Sequence, residues 1–330
     1  MGEPVKAGRS LERVALHEAI PLDHPLSLFI DTLNACNFQC KFCPTGDREL
    51  IRSIGRVVEP LSLELLDSLL ADLQLYDGKI ATIYLYKDGE PLLNRNLPEY
   101  IRRVKRSGVC RSVTIITNAA LLTKELSREL IAAGLDKIII SLEGMSEELY
   151  RDFARAHIQW DSFVANIRYL HTIKGACQIN IKVNADIISP REQADFLEEF
   201  SPLADHAYLE HTVNCWPNFI PKVPVNEAVG VFGQERGATI VCPYIFYSLA
   251  VNSNGAVSLC CADWGQKLIV GDLKRESFDA IWRGERLREY RLMHLHGKRS
   301  SDPVCGTCGH PDSCALDSLD EYAKQITTRL

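Results

Sequence analysis

No window of the chain approaches the run of about 18 unbroken apolar residues that a bilayer crossing takes. The N-terminus, MGEPVKAGRSLERVALHEAI, also lacks the basic-then-apolar order of a signal peptide. The expected location is therefore the cytoplasm, with no membrane partner. A basic excess is missing too: 37 Lys and Arg stand against 43 Asp and Glu, a formal charge of −6, which leaves no electrostatic footprint for nucleic acid. Although Gly2 follows the initiator Met, Lys6 and Ala7 stand where a myristoylation signal would carry Ser or Thr. There is no internal repeat and no low-complexity tract. With 46% hydrophobic and 24% charged residues the 330-residue chain has the profile of an ordinary globular protein, long enough for one large domain or two smaller ones.

Cysteine is what the sequence has in excess. Twelve cysteines in a cytoplasmic chain call for a use other than disulfides, because thiols there are kept reduced; metal or iron–sulfur ligation is the next choice. Their distribution supports it: Cys36, Cys40 and Cys43 lie in one loop, Cys110, Cys177 and Cys215 are scattered, and six follow from Cys242 onward.

Between residues 26 and 210 short apolar runs alternate with amphipathic stretches. The runs LSLFID (26–31), IATIYLY (80–86), SVTIIT (112–117), DKIIIS (136–141), QINIKVNA (178–185) and HAYLE (206–210) predict strands. Helices are predicted near 62–73, 98–107, 124–133, 146–154, 160–174 and 191–200. Six βα units in succession imply a parallel sheet, and nearly continuous apolar strands imply one that is covered by helices and curved. The expected fold is α/β, a partial (β/α)6 TIM-like barrel over residues 26–212, preceded by an N-terminal extension (1–25). A linker (213–241), broken by Pro217, Pro221, Pro224 and three glycines, leads to a small cysteine-rich domain (242–315) and a closing helix (316–330).

The first cysteine loop, CNFQCKFC, follows strand one, at the strand end where βα barrels carry active sites. Three thiolates can hold three irons of a 4Fe-4S cluster and leave the fourth open to a small ligand; a zinc loop with a remote fourth ligand is the plain alternative. The C-x3-C-x2-C spacing, with Phe42 before the last cysteine, resembles the cluster motif of the radical S-adenosylmethionine (SAM) enzymes. That resemblance implies a SAM-binding 4Fe-4S cluster on Cys36, Cys40 and Cys43, whose open iron chelates the amino and carboxylate groups of SAM. It also implies SAM contacts at later strand ends: Asp88, Gly89 and Glu90 in YKDGEP, with Asp88 where the family has a first Gly; Asn118 in ITN; Ser141 in ISLEG; and Arg155 or Arg151 for the carboxylate. Taken singly, a Glu or Asn at a strand end is an ordinary turn or capping residue.

Beyond residue 242, CPYIFYSLAVNSNGAVSLCCADWG reads as a hairpin turning at NSNG, and CGTCGHPDSC supplies a C-x2-C knuckle. Alone the knuckle would be read as zinc. With GDL and SFDAIW between, the stretch resembles the SPASM type of auxiliary cluster domain that follows radical SAM barrels. The resemblance implies one auxiliary 4Fe-4S cluster on Cys242, Cys260, Cys305 and Cys308. Ser318 stands where the two-cluster pattern continues with Cys, while Cys261 and Cys314 remain alternative ligands or spare thiols. Cys110 and Cys177 read as small buried hydrophobes. Cys215, His206, His211, Lys87, Glu143, Asn184 and Glu210 are polar candidates near the substrate.

The implied reaction is reductive cleavage of SAM and hydrogen abstraction from a small hydroxylated substrate, with an external donor such as flavodoxin or ferredoxin supplying electrons. Alcohol oxidation on a sugar or aminocyclitol is the first expectation, with the auxiliary cluster as electron acceptor. Epimerisation, peptide maturation (weakened by the few residues before strand one) and a non-catalytic electron carrier are the alternatives.

Overall fold

The computed structural model describes residues 14–330, so residues 1–13 of the expected extension lie outside the described residues. Six parallel strands form in the expected order: β1 (Ser27–Ile30), β2 (Ile80–Tyr84), β3 (Cys110–Thr117), β4 (Lys137–Leu142), β5 (Gln178–Asn184) and β6 (His206–Glu210). β1 to β5 are each followed in chain order by helix, whereas β6 runs into the loop 211–243, and the caps are local: Ser62 accepts from Leu65 N, Thr123 from Leu126 N, and Ser189 forms a reciprocal capping box with Glu192.

Three further strands complete one open nine-stranded sheet in the order β6-β5-β4-β3-β2-β1-β7-β8-β9. β7 (Ser248–Val251) pairs parallel with β1, with Ser27 opposite Ser248, and continues antiparallel into β8 (Ala256–Ser258) and β9 (Ile269–Asp272). The cysteine-rich hairpin is thus an extension of the barrel sheet. Its turn forms at the expected place, with Gly255 at φ +90°, a conformation that favours glycine. The expected closing helix at the C-terminus is only a 3-10 turn (Asp320–Tyr322) and a short helix (Ala323–Thr327). The expected helix near 146–154 is one short turn, Glu147–Leu149, running into a π-turn, Tyr150–Ala154, which Arg155 ends at φ +50°.

Period-two alternation divides the strands between two faces. Leu28, Ile30, Ile83, Val113, Ile115, Ile138, Ile140 and Ile181 are fully buried in the apolar core. Each such side chain contributes roughly 1.5–3 kcal/mol of burial. The alternate residues, Phe29, Tyr84, Ile116, Ile139, Ser141, Lys182, Asn184, Tyr208 and Glu210, line instead a large cavity of about 570 Å³. The register stacks Phe29 beside Tyr84, their rings 4.7 Å apart. Among the described residues no helix is long and apolar enough to cross a membrane.

Candidate active site

Cys36, Cys40 and Cys43 all line the large cavity. Their loop is folded by its own backbone and by the π-turn: Gln39 N donates to Ala154 O (2.8 Å), Lys41 N to Phe153 O (3.1 Å) and Cys43 N to Cys40 O (3.1 Å). Phe42 stacks on Phe153 with ring centroids 5.5 Å apart. A Cβ at Gly46 would stand 2.4 Å from Cys40 O, so only glycine lets the loop close on itself. Burial pushes the Cys36 thiol up to about 12 and raises Cys40 and Cys43 as well. Three thiolates therefore need a cationic group among them to be stable here, and a metal centre supplies that charge.

The end of β2 braces this loop. Gly89 lies where a Cβ would meet Leu33 O at 2.2 Å and Ala35 O at 2.5 Å, and Glu90 N donates to Ala35 O at 2.7 Å. The Glu90 carboxylate, raised to about 7 by burial, accepts from Thr117 Oγ1 (2.6 Å), Asn118 N (2.8 Å) and Leu92 N (2.9 Å). Asn118 Nδ2 in turn donates to Asn37 Oδ1 at 2.9 Å. Asp88, Gly89 and Ser141 line the large cavity, whereas Glu90 and Asn118 are engaged behind the loop. Arg155 is exposed and lines a different groove on the outer side of the cysteine loop; Arg151 is exposed as well.

The Asp88 side chain has a use of its own. Lys87 Nζ donates to Asp88 Oδ2 (2.5 Å) and to Asp263 O (3.0 Å), while Arg56 donates to Trp264 O and meets Asp88 Oδ2 at 3.5 Å. All three side chains are nearly inaccessible, so the ion pairs replace water that none of them retains. Asp263 caps the loop after β8, accepting from Ser258 Oγ (2.9 Å), Lys267 N (2.9 Å) and Leu268 N (3.0 Å).

Cys242, Cys260, Cys305 and Cys308 line a second, much smaller cavity, together with apolar side chains such as Ile245, Leu268 and Val304. The knuckle is pre-shaped by Asp302, which accepts from Cys305 N at 2.7 Å, and by Arg299, which donates to Cys305 O (3.1 Å) and Cys308 O (3.0 Å). Among the described residues no three His, Cys, Asp or Glu side chains converge on one metal-ion position; the four thiols stand around a space instead. That arrangement fits a multi-atom group with four thiolate ligands.

Cys261 and Cys314 take the other side. With Cys215 they line the large cavity. The interaction of the neighbouring Cys215 and Cys314 thiols holds Cys314 down and Cys215 up. Burial lowers His310, but the neighbouring Cys261 and Cys314 thiols outweigh that and raise it. Cys177 is buried in the core and Cys110 packs against it. His206 is exposed, whereas His211 lines the large cavity and bonds Asp186 at 2.8 Å.

The large cavity also holds Lys182, paired with Glu210 at 2.5 Å, and Glu143, which burial raises to about 7. Sequence reasoning missed Lys182, Tyr84, Tyr86, Tyr208, His310 and Arg56. For Tyr84, Tyr86, Lys182 and Tyr208 the signal was available, because strand alternation assigns them to the concave face once Phe29 and Ser141 are placed there.

The Radical SAM superfamily profile matches residues 30–184, and an Iron-sulfur cluster-binding domain profile, SPASM, matches residues 242–309. The chain thus carries a radical SAM domain over residues 30–184 and a C-terminal SPASM-type domain over 242–309, and these two domains imply 4Fe-4S clusters. Among curated relatives, a probable GTP 3',8-cyclase of Metallosphaera sedula is 31% identical over 141 residues, 43% of this chain and 41% of that one. A GTP 3',8-cyclase of Xanthomonas campestris is 27% identical over 168 residues, 49% of this chain and 48% of that one. The chain thus spans about half the length of the curated relatives it matches. Among solved structures, BtrN in complex with AdoMet and 2-DOIA aligns with TM-score 0.57 at 18% identity, covering 89% of this chain and 96% of that one. Streptococcus suis SuiB bound to S-adenosylmethionine aligns with TM-score 0.62 at 14% identity, covering 94% and 76%. At these identities the likeness is one of fold.

Proposed function

We propose that the chain is a radical SAM oxidoreductase acting on an alcohol of a sugar or aminocyclitol-like small molecule, with residues 26–212 as the SAM-cleaving unit and 242–315 as the auxiliary unit. The observation that carries this reading is the division of the thiols: Cys36, Cys40 and Cys43 open on the large cavity, while Cys242, Cys260, Cys305 and Cys308 enclose a separate one. In this reading the three-thiol loop holds the SAM-binding cluster, and the four-thiol cavity holds a fully ligated one suited to electron transfer. When bound, cluster and SAM supply a 5'-deoxyadenosyl radical that takes a hydrogen atom from the substrate. The residues of the chain position and shield. Gly89, the Asp88 backbone and Ser141 face SAM, while Lys182, Glu210, Glu143 and the tyrosines of β2 and β6 offer hydrogen bonds to hydroxyl or amino groups.

The relatives named GTP 3',8-cyclase raise the question of a nucleotide substrate. Both lysines of the cavity are in ion pairs, Lys87 with Asp88 and Lys182 with Glu210, and Glu143 adds a carboxylate. That charge suits a neutral or aminated compound better than a triphosphate. A second reading, redox-neutral epimerisation, is favoured by Cys215, Cys261 and Cys314 on the cavity wall, where a thiol could return a hydrogen atom.

The test is iron and sulfide content with EPR spectra, with and without SAM, on anaerobically reconstituted protein. About eight irons, as two 4Fe-4S clusters, with one signal shifted by SAM is the expected result and justifies a screen of sugar and aminocyclitol oxidation. About four irons would remove the internal acceptor and favour epimerisation; zinc without iron would end the reading.

A further inference from the structure

The cysteine loop is a wall with two sides. Its inner side faces the large cavity, and on its outer side Cys40 and Cys43 also line a groove of about 240 Å³. The groove collects Lys41, Arg48, Arg52, Arg155 and Lys222 against two carboxylates, Asp47 and Glu49. Lys222 neutralises Asp47 at 2.5 Å, which leaves four cations facing Glu49 alone. Arg48, Arg52 and Arg155 are exposed, and none of them is in an ion pair among the described residues. In a chain of net charge −6, this local reversal of sign sits on a groove that two of the loop's thiols line.

We propose that this groove is the docking surface for a small acidic one-electron carrier protein. The proposal rests on the radical SAM reading, because that chemistry needs one electron delivered through Cys40 and Cys43 for each SAM cleaved. Charge complementarity selects the occupant. An anionic carrier is steered to a cationic rim by long-range attraction, and a groove backed by the ligand loop sets its redox group close to the acceptor. The large cavity is unsuited to the same task, since its cations are already paired and its space is needed for SAM and substrate. In the step itself the reduced carrier loses one electron and the centre held by the cysteine loop gains it; no bond is made and no proton moves between the proteins.

The probe is flavodoxin, used as hydroquinone with its reductase, against the double variant Arg48→Glu/Arg52→Glu. Neither arginine lines the large cavity or bonds a cysteine through its side chain. The expected result is at least a tenfold weaker flavodoxin Kd at low salt, measured directly on reconstituted protein, with wild-type affinity falling steeply as salt rises and the variant's hardly changing. SAM cleavage driven by dithionite should be unchanged, as should iron content and the SAM-induced EPR shift. An unchanged flavodoxin Kd overturns the proposal. So does an equal loss of dithionite-driven cleavage, which would assign the arginines to the cysteine loop itself. Absence of dithionite-driven cleavage in the wild type would instead sink the radical SAM reading, so the two failures are distinguishable.

Discussion

Lys87 Nζ, at the end of β2, lies 3.0 Å from the carbonyl oxygen of Asp263, in the loop that carries Cys260 and Cys261. Three residues further along the same segment, Glu90 N donates to Ala35 O, next to Cys36. Four consecutive residues, 87–90, thus tie together the loops of both cysteine sets. This accounts for the departure from the family's glycine at Asp88, whose carboxylate balances Lys87 and Arg56 in a place without water.

Breaking that latch strands a charge. Asp88→Asn should leave Lys87 and Arg56 without their shared carboxylate and destabilise the fold by about 3 kcal/mol or more. Urea denaturation followed by circular dichroism measures this, and an unchanged midpoint would show that the ion pairs are not formed. The charge-neutral double variant Lys87→Met/Asp88→Asn should recover part of the loss.

The two thiol sets should separate by iron count. Cys305→Ala/Cys308→Ala is expected to lose about four irons, one 4Fe-4S cluster, yet keep some SAM cleavage. Cys36→Ala/Cys40→Ala/Cys43→Ala should abolish cleavage. Iron analysis and quantification of 5'-deoxyadenosine check both, and retained cleavage in the triple variant would refute the site.

Gly89→Ala places a methyl group against Leu33 O and Ala35 O, both closer than any ordinary contact and both backbone. The β2 end and the approach to Cys36 must move apart, at a cost of about 1–3 kcal/mol. We expect a weaker SAM affinity together with a lower Tm, read by EPR titration and calorimetry; normal SAM affinity would remove Gly89 from the site.

Glu143 carries a pH signature. Burial raises its carboxyl from the ordinary 4.5 to about 7 in the folded protein, so between those values the folded state holds a proton that the unfolded chain has released. Stability contributed by that proton is full below about 4.5 and is lost as pH rises toward 7. Glu143→Gln should flatten this part of the profile, by up to about 3 kcal/mol across the window. Urea midpoints at pH 5, 6, 7 and 8 test it; parallel profiles for variant and wild type would place the carboxyl in water.

Much of the architecture was legible because its signals are local. The six βα units, the helix caps at Ser62, Thr123 and Ser189, the hairpin turn at Gly255 and the three cysteines of one loop all follow from spacings shorter than a dozen residues. Each is set by strand alternation, by an unpaired backbone N–H seeking a cap, or by a glycine's freedom at positive φ.

What only the tertiary structure decided is which face each neighbour presents. Cys260 and Cys261 are adjacent, yet one lines the four-thiol cavity and the other the large one, because the hairpin is fixed against β1 through β7 and the turn just beyond β8 sends the two side chains to different cavities. Arg155 is close in sequence to the end of β4, which lines the large cavity, but the π-turn and its positive φ carry it to the outer groove. The pairing of Lys87 with the Asp263 loop joins positions 176 residues apart. No local pattern encodes that contact, because burying a charge is favourable only where the rest of the fold delivers its partner.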